Sequence, residues 1–244
     1  MRLTRSHVDL ALTAGAEVVL PEDTTNHLLR VLRLGEGDPC VLFNGDGHDY
    51  PATLVAAGKR EARVRLGAAV AVDNESPRPI LLLQGIARGE KMDLILQKAT
   101  ELGVSAVLPV NAERTEVKLD AARAAKRVAH WRNVIVSACE QSGRARVPRL
   151  SPPQSLAEAA ASVPADALKL TLDPQGEHRL STLQAPPGVA LVVAIGPEGG
   201  WSPRDRQVLA GAGFQGLQLG PRILRTETAG LAAIAALQAR LGDL

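Results

Sequence analysis

The apolar positions along the chain change rhythm once, close to residue 80. Before that point they fall in short runs: Val18-Val19-Leu20, Pro39-Cys40-Val41-Leu42-Phe43, Tyr50-Pro51-Ala52-Thr53-Leu54-Val55 and Ala62-Arg63-Val64-Arg65-Leu66. Runs of this length, broken by turn residues, predict β-strands. The clearest turn is Asn44-Gly45-Asp46-Gly47, a tight hairpin connection. Between the first two runs, residues 24–33 predict a short helix that turns Leu28, Val31 and Leu32 inward and leaves His27, Arg30 and Arg33 outside. Several short strands with one helix predict a small barrel over residues 1–72. The polar, proline-bounded stretch 73–79 reads as a linker.

Beyond it the pattern alternates. Residues 80–86 predict a buried strand, and residues 90–102 a helix with Met92, Ile95, Leu96 and Ala99 on one face and Gly103 as its stop. A strand over 104–110 follows, then a long helix over 120–142 whose outer face carries Arg123, Lys126, Arg127, His130 and Arg132. A helix over 155–161 and a strand over 167–172 come next. Val189 to Ile195 is an unbroken, largely β-branched apolar run, the signature of a strand buried on both faces. Ser202-Pro203-Arg204-Asp205 starts a helix that ends at Gly211 or Gly213, because serine caps, proline opens and an acid sits in the first turn. A strand over 216–219 and an Ala/Leu/Ile-rich helix over 229–241 close the chain. This succession predicts an α/β domain over 80–244. Two of its strands empty into Gly-Pro loops, Gly196-Pro197-Glu198-Gly199-Gly200-Trp201 and Gly220-Pro221-Arg222-Ile223-Leu224-Arg225-Thr226-Glu227-Thr228. In open α/β sheets that carboxyl edge is where ligands bind.

Composition narrows the ligand class. The 244 residues fit one large or two ordinary domains, and 45% hydrophobic content supports a real core. With only 2% aromatic residues, base stacking on aromatic platforms cannot be the main mode of recognition. A net charge of +2 is bland, but arginine far outnumbers lysine, which suits bidentate phosphate contacts or reflects base composition alone. Cys40 and Cys139 form no CxxC, and the five histidines lack ligand spacing, so neither a disulfide framework nor a metal site is expected. Neither a signal peptide nor a membrane-length apolar run is present, which makes a cytoplasmic protein the expectation. No G-x-G-x-x-G follows a first strand, and the G-x-x-x-x-G-K-[ST], H-E-x-x-H and G-x-S-x-G motifs are missing. Glycine loops without a dedicated phosphate cation suit a neutral or zwitterionic nucleotide-like ligand, met by backbone N–H groups.

The two Gly-Pro loops together, Ile195 to Gly200 and Leu219 to Ala229, resemble the signature pair of the SPOUT methyltransferases. More narrowly, the chain resembles the bacterial ribosomal RNA small subunit methyltransferase E family, through Gln97 to Val104, Glu140 to Arg144 and His27 to Arg33 with Gly37-Asp38. The matches span nearly the whole chain, and their order and combination are what make them specific. The resemblance implies an α/β fold with a SPOUT-type parallel sheet and a C-terminal trefoil knot, preceded by a PUA-like β-barrel. It implies S-adenosyl-L-methionine as cofactor and 16S rRNA in the small ribosomal subunit as partner. A homodimer through the knot helices is implied as well, with no metal and no membrane.

Carried onto this chain, the resemblance gives cofactor contacts at Leu172, Gly196, Pro197, Gly199, Gly200, Leu219, Gly220, Ile223, Leu224, Thr226 and Thr228. RNA contacts fall at His27, Arg30, Arg33, Arg114 and Gln141, and catalytic roles at Glu198, Arg225 and Arg144. The implied reaction makes 3-methyluridine. The N3 proton must leave, and the imide oxygens must be held while negative charge builds on the base. Arginine is always charged and cannot accept that proton; Glu198 is the candidate acceptor, with water the alternative. Plainer readings stay open at this stage: Glu198 as a partner of the helix beginning at Ser202, Arg225 paired with Glu227, and Arg144 as a helix-end charge. A 2′-O-ribose methyltransferase ranks lower, because such enzymes carry a Ser-Leu-Asn motif where this chain has Arg225-Thr226-Glu227-Thr228. A non-catalytic RNA-binding factor is the rival from another class.

Overall fold

Two hydrogen-bonded sheets organise the chain in the computed structural model, which describes residues 3–58, 61–117 and 120–244. They belong to two compact units. One runs up to Glu75 and takes in Cys139–Val147, and the other holds Ser76–Ala138 and Pro148–Leu244. The division between Glu75 and Ser76 falls inside the expected linker, while the expectation kept 139–147 in the C-terminal domain.

In the first unit, β1 (Arg5–His7), β3 (Pro39–Phe43), β4 (His48–Ala57), β5 (Ala62–Leu66) and β2 (Glu17–Val19) lie in that order, and β6 (Val70–Ala71) pairs with β4. β1 runs parallel to β3 and the other ladders are antiparallel. The β3–β4 turn places Gly45 and Gly47 at φ +93° and +97°, the left-handed backbone the hairpin demands. Alternation buries Cys40 and Leu42 of β3 and Leu54, Val64 and Leu66 of β4 and β5 in one core with Leu28 and Tyr50. Burial pushes the Cys40 and Cys139 thiols up to about 11, so both stay protonated and unreactive at neutral pH.

The helix expected over 24–33 is divided. A short α1 (Glu22–Asn26) passes into a π-helical turn, His27–Val31. The wider turn shifts the phase, so Leu28 is buried while Val31 and Leu32 are 67% and 38% exposed rather than inward. Arg33 ends the turn at φ +58°, a rare conformation for a side-chain-bearing residue.

The second unit holds a sheet ordered β10 (Gln154–Ser155), β8 (Ala106–Asn111), β7 (Ile80–Gly85), β13 (Leu191–Ile195), β11 (Leu168–Leu172), β14 (Gln215–Gln218) and β12 (His178–Arg179). β9 (Arg149–Leu150) pairs with β8, and every ladder is parallel. β7 and β13 are buried along their whole length, as strands of a covered parallel sheet should be; β13 is an unbroken apolar run, and β7 is apolar save for Gln84. The helices are α2 (Glu90–Glu101), α3 (Ala121–Ser142, whose residues from Cys139 on belong to the first unit), α4 (Leu156–Ser162), α5 (Pro203–Gly211) and α6 (Thr226–Leu241). Ser155 and Ser202 each close a capping box, with Glu158 and Asp205 respectively. α6 starts at Thr226, three residues before the apolar pattern begins, so Thr226, Glu227 and Thr228 form its first turn and not a loop.

One feature of the order departs from simple strand-to-strand succession. β14 lies between β11 and β12, although β12 belongs to the connection that leads from β11 to β13. The chain after β11 therefore passes beyond the place β14 later fills before it returns to the middle of the sheet. Arg78 fixes this return, donating from its guanidinium to the carbonyls of Ala185, Pro186 and Val189 and to that of Leu241 at the end of α6.

Candidate active site

Because β7, β13, β11 and β14 are adjacent and parallel, their carboxyl ends open on one edge of the sheet. A cavity of about 620 Å³ lies there. It is lined by eleven of the residues singled out in the sequence: Leu172, Gly196, Pro197, Glu198, Gly200, Leu219, Gly220, Ile223, Leu224, Arg225 and Thr226. Gly199 and Thr228 are exposed and are not part of the lining. The carbonyl of Gly199 instead accepts a hydrogen bond from Arg114 (3.1 Å), so this expected RNA contact braces the loop from outside. Arg144 belongs to the first unit, where it is 4% exposed and both ends of its guanidinium donate to Glu75.

The glycines differ in what they permit. Gly220 sits at φ +109° and a Cβ there would meet nothing within 4 Å, so backbone strain alone selects glycine. A Cβ at Gly196 would come within 3.1 Å of the backbone of Gly200 and Trp201, so any larger residue would press on the loop's own turn. Gly85, at the end of β7, touches the same loop from behind: a Cβ there would lie 2.4 Å from the backbone nitrogen of Pro197.

Charges collect at one wall. The Lys91 ammonium lies 3.4 Å from Glu198 and 3.8 Å from Glu227, and the Arg88 backbone N–H donates to Glu198 (3.1 Å). Burial works to raise the Glu198 pKa. The hydrogen bonds from the Arg88 and Glu198 backbone and from Lys91, with the Lys91 charge, outweigh it and hold the carboxyl below its ordinary value. Glu198 is therefore ionised throughout the neutral range. Arg206 pairs with Asp173 (3.1 Å) and Arg88 with Glu116 (2.7 Å), while the cavity-lining Arg222 and Arg225 are exposed.

Sequence reasoning missed Arg88, Lys91, Asp173, Trp201 and Arg206 in the lining. A signal existed for the first two. Ile80 to Gly85 is a third buried run ending in glycine before a helix, so the residues after it reach the same carboxyl edge. Trp201 had its own signal as the last residue of the first Gly-Pro loop; its indole N–H donates to the Thr171 hydroxyl (3.0 Å), which in turn donates to the Ala194 carbonyl (3.1 Å). Of the other expected RNA contacts, His27, Arg30, Arg33 and Gln141 are all exposed in the first unit. Among the described residues no cluster of metal-ligating side chains occurs, and no helix is long and apolar enough to cross a membrane.

The model of an RNA methyltransferase domain matches residues 74–238, and that of an RNA methyltransferase PUA domain matches residues 20–67. The ribosomal RNA small subunit methyltransferase E of Mycobacterium bovis is 33% identical over 94% of this chain and 89% of its own length. The crystal structure of a ribosomal RNA small subunit methyltransferase E from Neisseria gonorrhoeae, bound to S-adenosyl methionine, is 42% identical and superposes with a TM-score of 0.94 over 99% of both chains. A Legionella pneumophila protein solved with bound cofactor SAM is 38% identical, with a TM-score of 0.94 over 100% of both chains.

Proposed function

From the premise that this chain belongs to the ribosomal RNA small subunit methyltransferase E family, and so is an S-adenosylmethionine-dependent rRNA methyltransferase, we propose that it methylates N3 of a uridine in 16S rRNA. The observation that carries the proposal is the composition of the sheet-edge cavity. Apolar walls and glycine loops lie beside the ionised Glu198 carboxylate, with Arg222 and Arg225 in the same lining.

The residues present fit the cofactor. Leu172, Leu219 and Leu224 offer an apolar surface for a flat heteroaromatic ring, and the Gly220 backbone opens on space that a side chain would fill. When bound, S-adenosylmethionine supplies an electrophilic methyl group on a sulfonium. The protein's part is alignment and charge. Arg225 is assigned the imide oxygens in preference to Arg144, whose guanidinium is engaged by Glu75. Lys91, placed by Glu198 and Glu227, adds a second cation at that wall. Glu198 accepts the N3 proton. Its depressed pKa makes it a weak base, but N3–H becomes strongly acidic as the nitrogen bonds carbon, so a weak base in the right place suffices. N3 lies on the pairing edge of the base, so the target uridine must be unpaired or extruded.

Residues 80–244 carry the chemistry in this proposal and residues 1–72 hold RNA as a PUA-like barrel, joined by 73–79. The match of the PUA model over 20–67 and the exposed His27, Arg30 and Arg33 support that division. A trefoil knot is supported by the sheet order, since β14 enters between β11 and the β12 segment of the loop that closes onto β13. Homodimerisation through the knot helices is supported by Ile223, an aliphatic side chain 91% exposed, and by the half-exposed Leu231, Ala232 and Ala235 of α6. The place of action is the cytoplasm, where small-subunit rRNA is found.

The test is to incubate the protein with methyl-labelled cofactor and undermethylated small subunits, then map the product by mass spectrometry. A single 3-methyluridine in 16S rRNA is the expected product. A methyl on a ribose 2′-oxygen would overturn the assignment of the reacting atom, and no transfer to any small-subunit RNA would overturn the proposal as a whole.

A further inference from the structure

Behind the cavity, in the middle of an otherwise apolar strand, sits a glutamine. Gln84 of β7 is 0% exposed between Leu83 and Gly85. A buried amide in such a place is costly unless its groups are used. Its Nε2 donates to the Gly85 carbonyl (2.9 Å) and to the Thr226 hydroxyl (3.1 Å). That hydroxyl in turn donates a hydrogen bond to the Gly196 carbonyl (2.6 Å). One amide therefore ties together the end of β7, the first residue of α6 and the turn of the first Gly-Pro loop. These are three segments far apart in sequence that meet at the cavity. The Oε1 atom has no hydrogen-bond partner among the described residues, so the amide is retained at a cost in stability.

We propose that Gln84 is a positioning residue for cofactor binding. It sets the Thr226 hydroxyl, and through it the Gly196 carbonyl, so that the two Gly-Pro loops hold the spacing the cofactor requires. The inference rests on the reading of this cavity as the cofactor site. A leucine at this position would fill similar space and remove the unpartnered Oε1, but it would take the Nε2 donor away from the Gly85 carbonyl and the Thr226 hydroxyl, so the two effects on stability oppose each other. The bonds of the amide, to the end of β7 and through Thr226 to Gly196, point to the loops as what it serves.

The test pairs cofactor affinity with stability. In Gln84→Leu the melting temperature should change little, the lost Oε1 orphan offsetting the lost donor, while calorimetric titration with S-adenosylmethionine should give a Kd weaker by ~10-fold or more. Thr226→Val should weaken binding similarly, and the double variant should lose little more than either alone, since both substitutions cut one chain of bonds. Gln84→Glu supplies a readout that packing cannot imitate. Its buried carboxyl donates when protonated and repels the Gly85 carbonyl when ionised, so affinity should be near that of the unmodified protein at low pH and fall as pH rises. The unmodified protein should lack this dependence. Unchanged affinity in folded Gln84→Leu and Thr226→Val proteins would overturn the inference, as would additive losses in the double variant. Failure of the unmodified protein to bind would instead overturn the reading of the cavity.

Discussion

A single methyl group at position 85 should separate the integrity of the first Gly-Pro loop from that of the fold. In Gly85→Ala the new Cβ would lie 2.4 Å from the Pro197 nitrogen, 2.6 Å from its Cδ and 2.9 Å from the Gly196 carbonyl carbon. Ordinary contact begins near 3.4 Å, so the Gly196–Pro197 backbone must retreat by about 1 Å. It cannot retreat freely: Ile195 before it is buried in β13, and the Gly196 carbonyl is held by Thr226. Overpacking of this kind costs about 1–3 kcal/mol, and a reacting group misplaced by about 1 Å loses about 100-fold in rate. The expected outcome is a lower melting temperature, a Kd for S-adenosylmethionine weakened ~10-fold, and kcat/KM reduced by about two orders of magnitude. Gly211→Ala is the control. Gly211 ends α5, and a Cβ there meets nothing within 4 Å, so stability should rise by about 0.5–1 kcal/mol with affinity unchanged. A folded Gly85→Ala protein with unaltered affinity and turnover would refute the account of the loop.

Glu198→Gln should lower turnover far more than cofactor affinity; unaffected turnover would assign the proton to water. Because the Glu198 pKa is depressed below 4.5, the stability it contributes is fully present above that value and lost as pH falls through the lowered one. The stability difference between the two proteins should therefore be flat across the neutral range and vanish only in acid, and a difference that changes near pH 7 would contradict the direction of the shift. Glu75→Ala removes the carboxylate that meets both ends of the buried Arg144 guanidinium. It should destabilise the protein by about 1–3 kcal/mol in chemical denaturation, below the figure for a fully buried pair because Glu75 is 24% exposed. Ile223→Asp should shift a dimer toward monomer in sedimentation velocity, and an unchanged assembly would place the interface elsewhere.

The strands and loops of the site were legible because burial on both faces leaves a plain mark: Val189 to Ile195 has no polar residue to interrupt it, and the glycines follow at once. The helix ends were legible for a similar reason, since Ser202, Pro203 and Asp205 are a capping arrangement that local chemistry nearly dictates. The π-helical turn was not. Its Val31 and Leu32 look like core residues at helical spacing, and only the widened turn turns them out. Nor was the start of α6, where a threonine-rich turn resembles loop sequence and the Arg225 side chain makes no cap.

What the sequence concealed most completely is the part that joins the site together. Periodicity reports which face of an element is buried, but it is silent on which elements meet. Lys91 looks like an ordinary first-turn lysine until β7 is placed beside β13, which brings it to Glu198 and Glu227. Arg78 reads as part of a polar linker until its guanidinium is found bonded to the carbonyls of a loop more than a hundred residues away. Gln84 is the sharpest instance. A polar residue in a buried strand breaks the local rule that predicts the strand, and local rules fail most often where a site imposes its own demand. Read in that light, the interruption of Ile80-Leu81-Leu82-Leu83 by a glutamine just before Gly85 marks where the sheet stops serving the core and begins to serve the loops of the cavity.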